Sequence, residues 1–212
     1  MNRLSTKLAN LQDVVGVLRK IAKAKGYSVF EFNGKHYNLN IWGVRSVDKD
    51  TRTYNDSMIV FWEDIEHKWH KTIYDITTDP SNESLLKPVN PKGCAILVEG
   101  QYPGLWTKGK HKGQYDALVQ YNTCVVARDN NKDDKLDINR STFEQGMFGI
   151  NCHRASSWKV VDYIGLYSAG CQVHKDVNRF NNEFMKEVDK AIEQGFKSFT
   201  YTLINENDLA GY

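Results

Sequence analysis

From Tyr27 onward the chain repeats one pattern. Short runs of β-branched and aromatic residues (YSVFEF, YNLNIWGV, MIVFW, WHKTIYDIT, CAILVEG, DALVQY and CVVA) are each cut off by Asn, Asp, Gly or Pro. Runs of that length and make-up read as strands, and the residues between them carry turn chemistry, so the pattern predicts an antiparallel sheet protein. Two segments break it. Leu8, Leu11, Val14, Val15, Leu18 and Ile21 recur at helical spacing, with Ser5 or Thr6 as N-cap and Gly26 as the stop, which predicts one helix of about five turns. Late in the chain Val177, Phe180, Phe184, Val188 and Ile192 fall three or four apart, and Gly195 ends that stripe before SFTYTLI returns to strand alternation. The expected class is mostly β with flanking helices: an antiparallel sandwich or barrel-like domain over 27–212, preceded by a helical extension over 1–26. Three of the four prolines sit in TTDPSNESLLKPVNPKG, which reads as a long surface loop.

A chain of 212 residues can bury an ordinary core without staples. Its four cysteines, Cys94, Cys124, Cys152 and Cys171, form no CxxC pair and no zinc-ligand spacing, so free thiols are expected. The 28 Lys and Arg against 26 Asp and Glu leave a formal charge of +2, which argues against a nucleic-acid surface. No segment approaches the run of about 20 apolar residues that a membrane span needs. The opening MNRLSTKLANLQDVVGVLRK also holds no apolar run of signal-peptide type.

The chemistry concentrates in GINCHRASSWKVVDYIGLYSAGCQV, where His153 precedes Cys171 by 18 residues. A thiol must become a thiolate to attack a carbonyl; a neighbouring imidazole can take its proton and later hand it to a leaving amine. FGINCH reads as a strand delivering His153. IGLYSAGC reads as a second strand ending in a turn at Ala169 and Gly170, where small residues admit a substrate and backbone N–H groups can form an oxyanion hole. Against this stands the plain alternative of a buried cysteine beside a satisfied core histidine. Histidine before cysteine is the reverse of the papain order.

The histidine, the interval and the S-x-G-C ending resemble the signature of the L,D-transpeptidases of bacterial cell walls, the YkuD-type domain. On that resemblance His153 matches the general base, Ser168 the motif serine, Gly170 the motif glycine and Cys171 the nucleophile. Arg154 stands where glycine is usual, and Ala169 replaces a second histidine. Gln172 and Val173 stand where many members carry an arginine for the substrate carboxylate. RDNNKDDKLD, FGINCHRA and YSAGCQV, together with GVRS, YND and TTDPS, are similar to a divergent set of phage-borne and Bacteroidetes-type members. The resemblance implies a cysteine acyl-enzyme acting on peptidoglycan stem peptides, with Gly170, Ser168, Arg154, Gln172 and His111 around the oxyanion and substrate, and no cofactor. With no apolar run of signal-peptide type at its start, a chain with a wall substrate is expected to be made in a host cytoplasm and to act on the wall after lysis or as a virion component, with virion proteins as further partners. The competing class is a non-catalytic virion or wall-binding module that keeps the fold.

Three other signals carry bland readings beside their functional ones. Asp129, Asn131, Asp133, Lys135 and Asp137 alternate as in a calcium loop, but Asp134 occupies the glycine position and Arg140 that of the bidentate glutamate, so a solvated Asx-rich turn without metal is expected. GLWTKGKHKGQYDALVQ reads as a basic, flexible rim or a solvated hairpin around His111. His111, Cys171 and Arg179 also follow the sortase order, yet the Thr-x-Thr-Cys of sortases is absent. Cys152 is expected to pack, His174 to lie at the surface or cap a helix, and Tyr115, Trp158 and Tyr167 to be buried in the core by default, with a groove lining as their functional alternative.

Overall fold

The computed structural model describes residues 1–212. Eight strands close into a barrel in the order β1 (Asn40–Arg45), β11 (Phe199–Asn205), β5 (Gly100–His111), β6 (Tyr115–Gln120), β9 (Cys152–Arg154), β10 (Gln172–His174), β3 (Trp69–Thr77) and β2 (Asp56–Glu63). A second sheet, β4 (Cys94–Leu97), β7 (Cys124–Asp129) and β8 (Phe143–Gly146), lies beside it. The chain is therefore mostly β with a few helices. Antiparallel pairing is not universal: β1 runs parallel to β11 and β9 parallel to β10. Parallel partners need long crossovers, and the β9–β10 connection supplies the loop that leads into Cys171.

Strand alternation divides the barrel's apolar residues between two cores. Ile41, Met58, Val60, Tyr74, Ile76, Tyr201 and Leu203 fill the interior, while Trp42, Val44, Ile59, Phe61, Ile73 and Ile204 point outward. The outward set is covered by the N-terminal helices through Leu4, Leu8, Val14, Val15, Leu18 and Ile21. The first 26 residues thus share a core with the barrel. They form two helices where the periodicity predicts one: α1 (Arg3–Asn10) and α2 (Val14–Lys25). Leu11 turns extended and Asp13 caps Gly16 N–H, while Gly26 ends α2 at φ +71° as expected.

The late helix also departs from a plain α-helix. α4 (Val177–Arg179) runs through a π turn (Phe180–Phe184) into α5 (Met185–Glu193), and its Phe180, Phe184, Val188 and Ala191 join the barrel interior. No helix is long and apolar enough to cross a membrane.

YSVFEF forms no strand. Its backbone is satisfied by side chains instead: the Asn40 amide pairs with Phe30, the Gln101 amide with Ser28, and Glu63 accepts from Phe32 N–H. TTDPSNESLLKPVNPKG is only partly a surface loop. Thr77, Thr78, Asp79 and Ser81 are buried, and Ser81 caps the short helix α3 (Asn82–Leu86).

That burial has a purpose in the architecture, because GVRS, YND and TTDPS meet there. Arg45 Nε lies 2.8 Å from Asp79 Oδ1. Asp56 accepts from Ser46 N–H, Thr78 N–H and the Thr78 hydroxyl at 2.7, 2.7 and 2.8 Å. The same segment then holds the turn before Cys171. The Ser168 hydroxyl lies 2.8 Å from Asp79 O, Ser81 N–H donates to Ser168 O, and the Ser84 hydroxyl donates to Ser168 O.

Candidate active site

The short parallel pair β9–β10 sets the geometry. Val173 pairs with His153, and Gln172 N–H donates to Asn151 O at 2.8 Å. Alternation therefore puts Asn151, His153, Cys171 and Val173 on the outer face, and Cys152, Gln172 and His174 on the inner one. Cys171 and His153 share a face as diagonal neighbours, the spacing at which long side chains of adjacent strands can meet. Cys171 does not end a strand as IGLYSAGC suggested. Gly165–Tyr167 form a 3₁₀ turn, and the cysteine immediately precedes β10.

The turn itself admits little change. Gly170 has φ +131°, and a Cβ there would overlap the Ala95 carbonyl oxygen, so only glycine fits. Its N–H lies 3.2 Å from the Ser168 hydroxyl oxygen, which leaves it committed and not available as an oxyanion donor. The Cys171 N–H has no partner within the chain. Ser168 is fully buried; its hydroxyl is held between Asp79 O and Cys171 O. Gln172 is likewise fully buried, accepting from Tyr201 OH at 2.7 Å and donating to Thr78 O. Ser168 and Gln172, both expected at the substrate, therefore brace the turn from behind.

Around the thiol the protein is dense, although Cys171 remains half-open to solvent while Cys94, Cys124 and Cys152 are buried. Burial pushes the Cys171 thiol up, and the Asn151 N–H and the Lys112 ammonium partly oppose that shift. The thiol lies 3.3 Å from Gly149 O and makes no hydrogen bond to His153. His153 is 3% exposed, and its pKa is lowered to about 3, chiefly by burial and then by His111. The resting pair is a neutral thiol beside a neutral imidazole.

His111 is not on a flexible rim. It closes the twelve-residue strand β5, is 7% exposed, and stacks on His153 with ring centroids 3.9 Å apart. Burial, Lys112 and Arg154 lower its pKa. Tyr115, at the start of β6, reaches Arg154 O and His153 Nδ1 at 3.2 Å each, and the Arg154 guanidinium lies 3.9 Å over the Tyr115 ring.

Two clefts open on residues near the cysteine in the chain or in the sheet, one lined by His153 and Tyr167 and the other by Ala169. One of about 300 Å³ opens on the histidine side, lined by His111, Lys112, Tyr115, Arg154, Trp158 and Tyr167 among others, with two cations and no carboxylate. The other, of about 450 Å³, is more apolar and includes Pro91, Ala95, Met147, Phe148 and Ala169. The groove-lining reading of Tyr115, Trp158 and Tyr167 thus matches their positions.

The remaining signals fall elsewhere. Cys152 packs in the barrel core. His174, expected at the surface, is 1% exposed among Tyr74, Phe180 and Phe184. Arg179 pairs with Glu183 and covers Tyr74, far from the sortase role. In the Asp/Asn loop the side chains bond to one another and to the backbone, as from Asn131 Nδ2 to Asp137 and from Asp137 N–H to Asp129. Asn151 was not singled out from the sequence; its place beside both histidines follows only from strand register. No protein-family model, curated protein or solved structure matches the chain.

Proposed function

We propose that the chain is a cysteine-dependent acyltransferase or hydrolase of L,D-transpeptidase type that acts on peptidoglycan stem peptides. The observation that carries this reading is the single partly exposed thiol, Cys171, on one face with the buried imidazole of His153, which itself lines a cleft. With both groups neutral at rest, His153 Nε2 takes the thiol proton as sulfur attacks the carbonyl, and returns it to the leaving amine. Water or a second amine then resolves the acyl-enzyme.

The cleft on the histidine side suits an acyl donor with free carboxylates, since Lys112 and Arg154 face it without a competing acid. Arg154 takes over the carboxylate role that the motif leaves open at Gln172. The wider cleft beside Ala169 suits the acceptor or the departing chain. A wall substrate also fits delivery by a phage, either at lysis or within the virion.

Incubating the protein with defined muropeptides and reading product masses tests this directly. A mass loss or exchange at a stem-peptide bond, absent in Cys171→Ala, is the expected result; no product from any muropeptide would sink it. The competing wall-binding module predicts sedimentation with intact peptidoglycan, no product, and no preferential alkylation of Cys171 by iodoacetamide near neutral pH.

A further inference from the structure

Sulfur attack on a carbonyl leaves a full negative charge on oxygen, and preorganised donors must meet it. In the nucleophile turn the Cys171 N–H has no partner in the chain, while Gly170 N–H is held by Ser168. A side chain can supply the next donor.

The tautomer of His111 can be traced bond by bond. Gln120 N–H donates to Asn151 Oδ1 at 2.8 Å, which orients that amide. Its Nδ2 therefore faces His111 Nδ1, at 3.2 Å. An amide NH2 only donates, so His111 Nδ1 accepts and the ring proton sits on Nε2. His153 is the reverse case. Its Nδ1 lies 2.8 Å from Arg154 O, and a carbonyl only accepts, so Nδ1 carries the proton and Nε2 is bare. Neither Nε2 has a partner in the chain, neither is sealed off, and both rings line the same cleft. One stacked ring thus carries a lone pair and the other an N–H. Asn151 links His111 to the nucleophile, since by register the residue before β9 sits opposite Cys171, the residue before β10.

Resting on the acyl-transfer reading above, we infer that His111 is a catalytic residue acting as a neutral oxyanion donor: its Nε2–H and the Cys171 N–H together hold the carbonyl oxygen. The thiol proton passes to His153 Nε2 as the S–C bond forms and the carbonyl π pair moves onto oxygen. On collapse the C–N bond breaks, and His153 returns the proton to the departing nitrogen. His111 keeps its proton throughout. It stays uncharged because its stacking partner becomes the cation, and Lys112 and Arg154 already face the cleft. A neutral imidazole polarising a carbonyl is established chemistry on other folds.

p-Nitrophenyl acetate tests this without a wall substrate, since acetylation of Cys171 passes through the same oxyanion. Release of p-nitrophenolate and the mass of the protein report the rate. His111→Ala is expected to slow acetylation by about 10²-fold or more. His111→Gln keeps an N–H donor but cannot act as a base, and is expected to recover at least about 10-fold of that loss. In ¹⁵N-histidine spectra at neutral pH, His111 is expected as the Nε2–H tautomer and His153 as the Nδ1–H tautomer, a readout independent of activity. Equal rates for the wild type and His111→Ala, no rescue by glutamine, or an Nδ1–H tautomer at His111 would each overturn the inference. A wild-type thiol that takes up no acetyl group would remove the acyl-transfer reading and the inference with it.

Discussion

His153 and His174 occupy adjacent strands one residue out of register, on opposite faces of the same parallel pair. Both are buried, and burial drives both to a pKa of about 3. They differ in what meets the ring. His153 has one nitrogen fixed by Arg154 O, and its other opens on a cleft. His174 is enclosed by Tyr74, Phe180 and Phe184, and its Nε2 has no hydrogen-bond partner at all. A depressed histidine pKa therefore does not mark a functional group by itself. The mark is a depressed pKa together with one nitrogen oriented and the other left free beside a nucleophile.

The sharpest way to break the comparison begins with Cys171, the proposed nucleophile, which shares a face with His153 and not with His174. Cys171→Ala is expected to abolish conversion of muropeptides while leaving the melting temperature within a few degrees, since the side chain is half-open and the change is small. Retained turnover would detach the outer face of the pair from catalysis altogether. Next, His153→Gln is expected to lower kcat by about 10²- to 10⁴-fold, the usual worth of a general base. His174→Phe should leave kcat within a few-fold. Steady-state kinetics that ranked the two the other way would invert the assignment of the two faces.

Acid should expose what the two rings share. Each histidine has an ordinary pKa near 6.5 when unfolded and about 3 when folded, so the unfolded state binds protons more readily across that window. Stability is full above about pH 6.5 and falls as the pH drops toward 3, by up to about 5 kcal/mol for each ring. Denaturant titrations between pH 7 and 4 measure this, and His174→Phe should remove about half of the loss that these two rings contribute. At neutral pH the same substitution is expected to stabilise by about 1 kcal/mol, because it replaces an unsatisfied buried nitrogen with an apolar ring in an aromatic surround. The smallest expected effect is that of EDTA: turnover unchanged, since thiolate chemistry draws on no metal. Loss with EDTA and rescue by calcium would bring the Asp129–Asp137 loop into the mechanism.

Local pattern alone made much of this protein legible. Most of the β-branched runs became strands because their alternation matches a surface buried on one or both faces. Gly26 ended its helix because a left-handed cap suits glycine, and the face of Cys152 followed from its being next to His153 on a strand. Residue type and interval suggested His153 and Cys171 as a pair, and the strand register puts them on one face. What local pattern could not carry were relations across long separations. YSVFEF had strand composition, but the partners that satisfied its backbone were amides and a carboxylate from other segments. TTDPS looked like a surface loop because prolines mark turns, whereas its burial depends on Arg45 and Asp56, 34 and 23 residues away from Asp79 in the chain. Ser168 and Gln172 carried motif identity, yet whether a motif side chain meets a ligand or braces a turn depends on which way a strand faces, and register settles that. The stacking of His111 on His153, and the amide of Asn151 that sets its proton, exist only because β5 and β9 are brought to the same cleft by barrel closure. Hydrophobic period acts between neighbours in sequence; hydrogen-bond donors and acceptors are matched between neighbours in space.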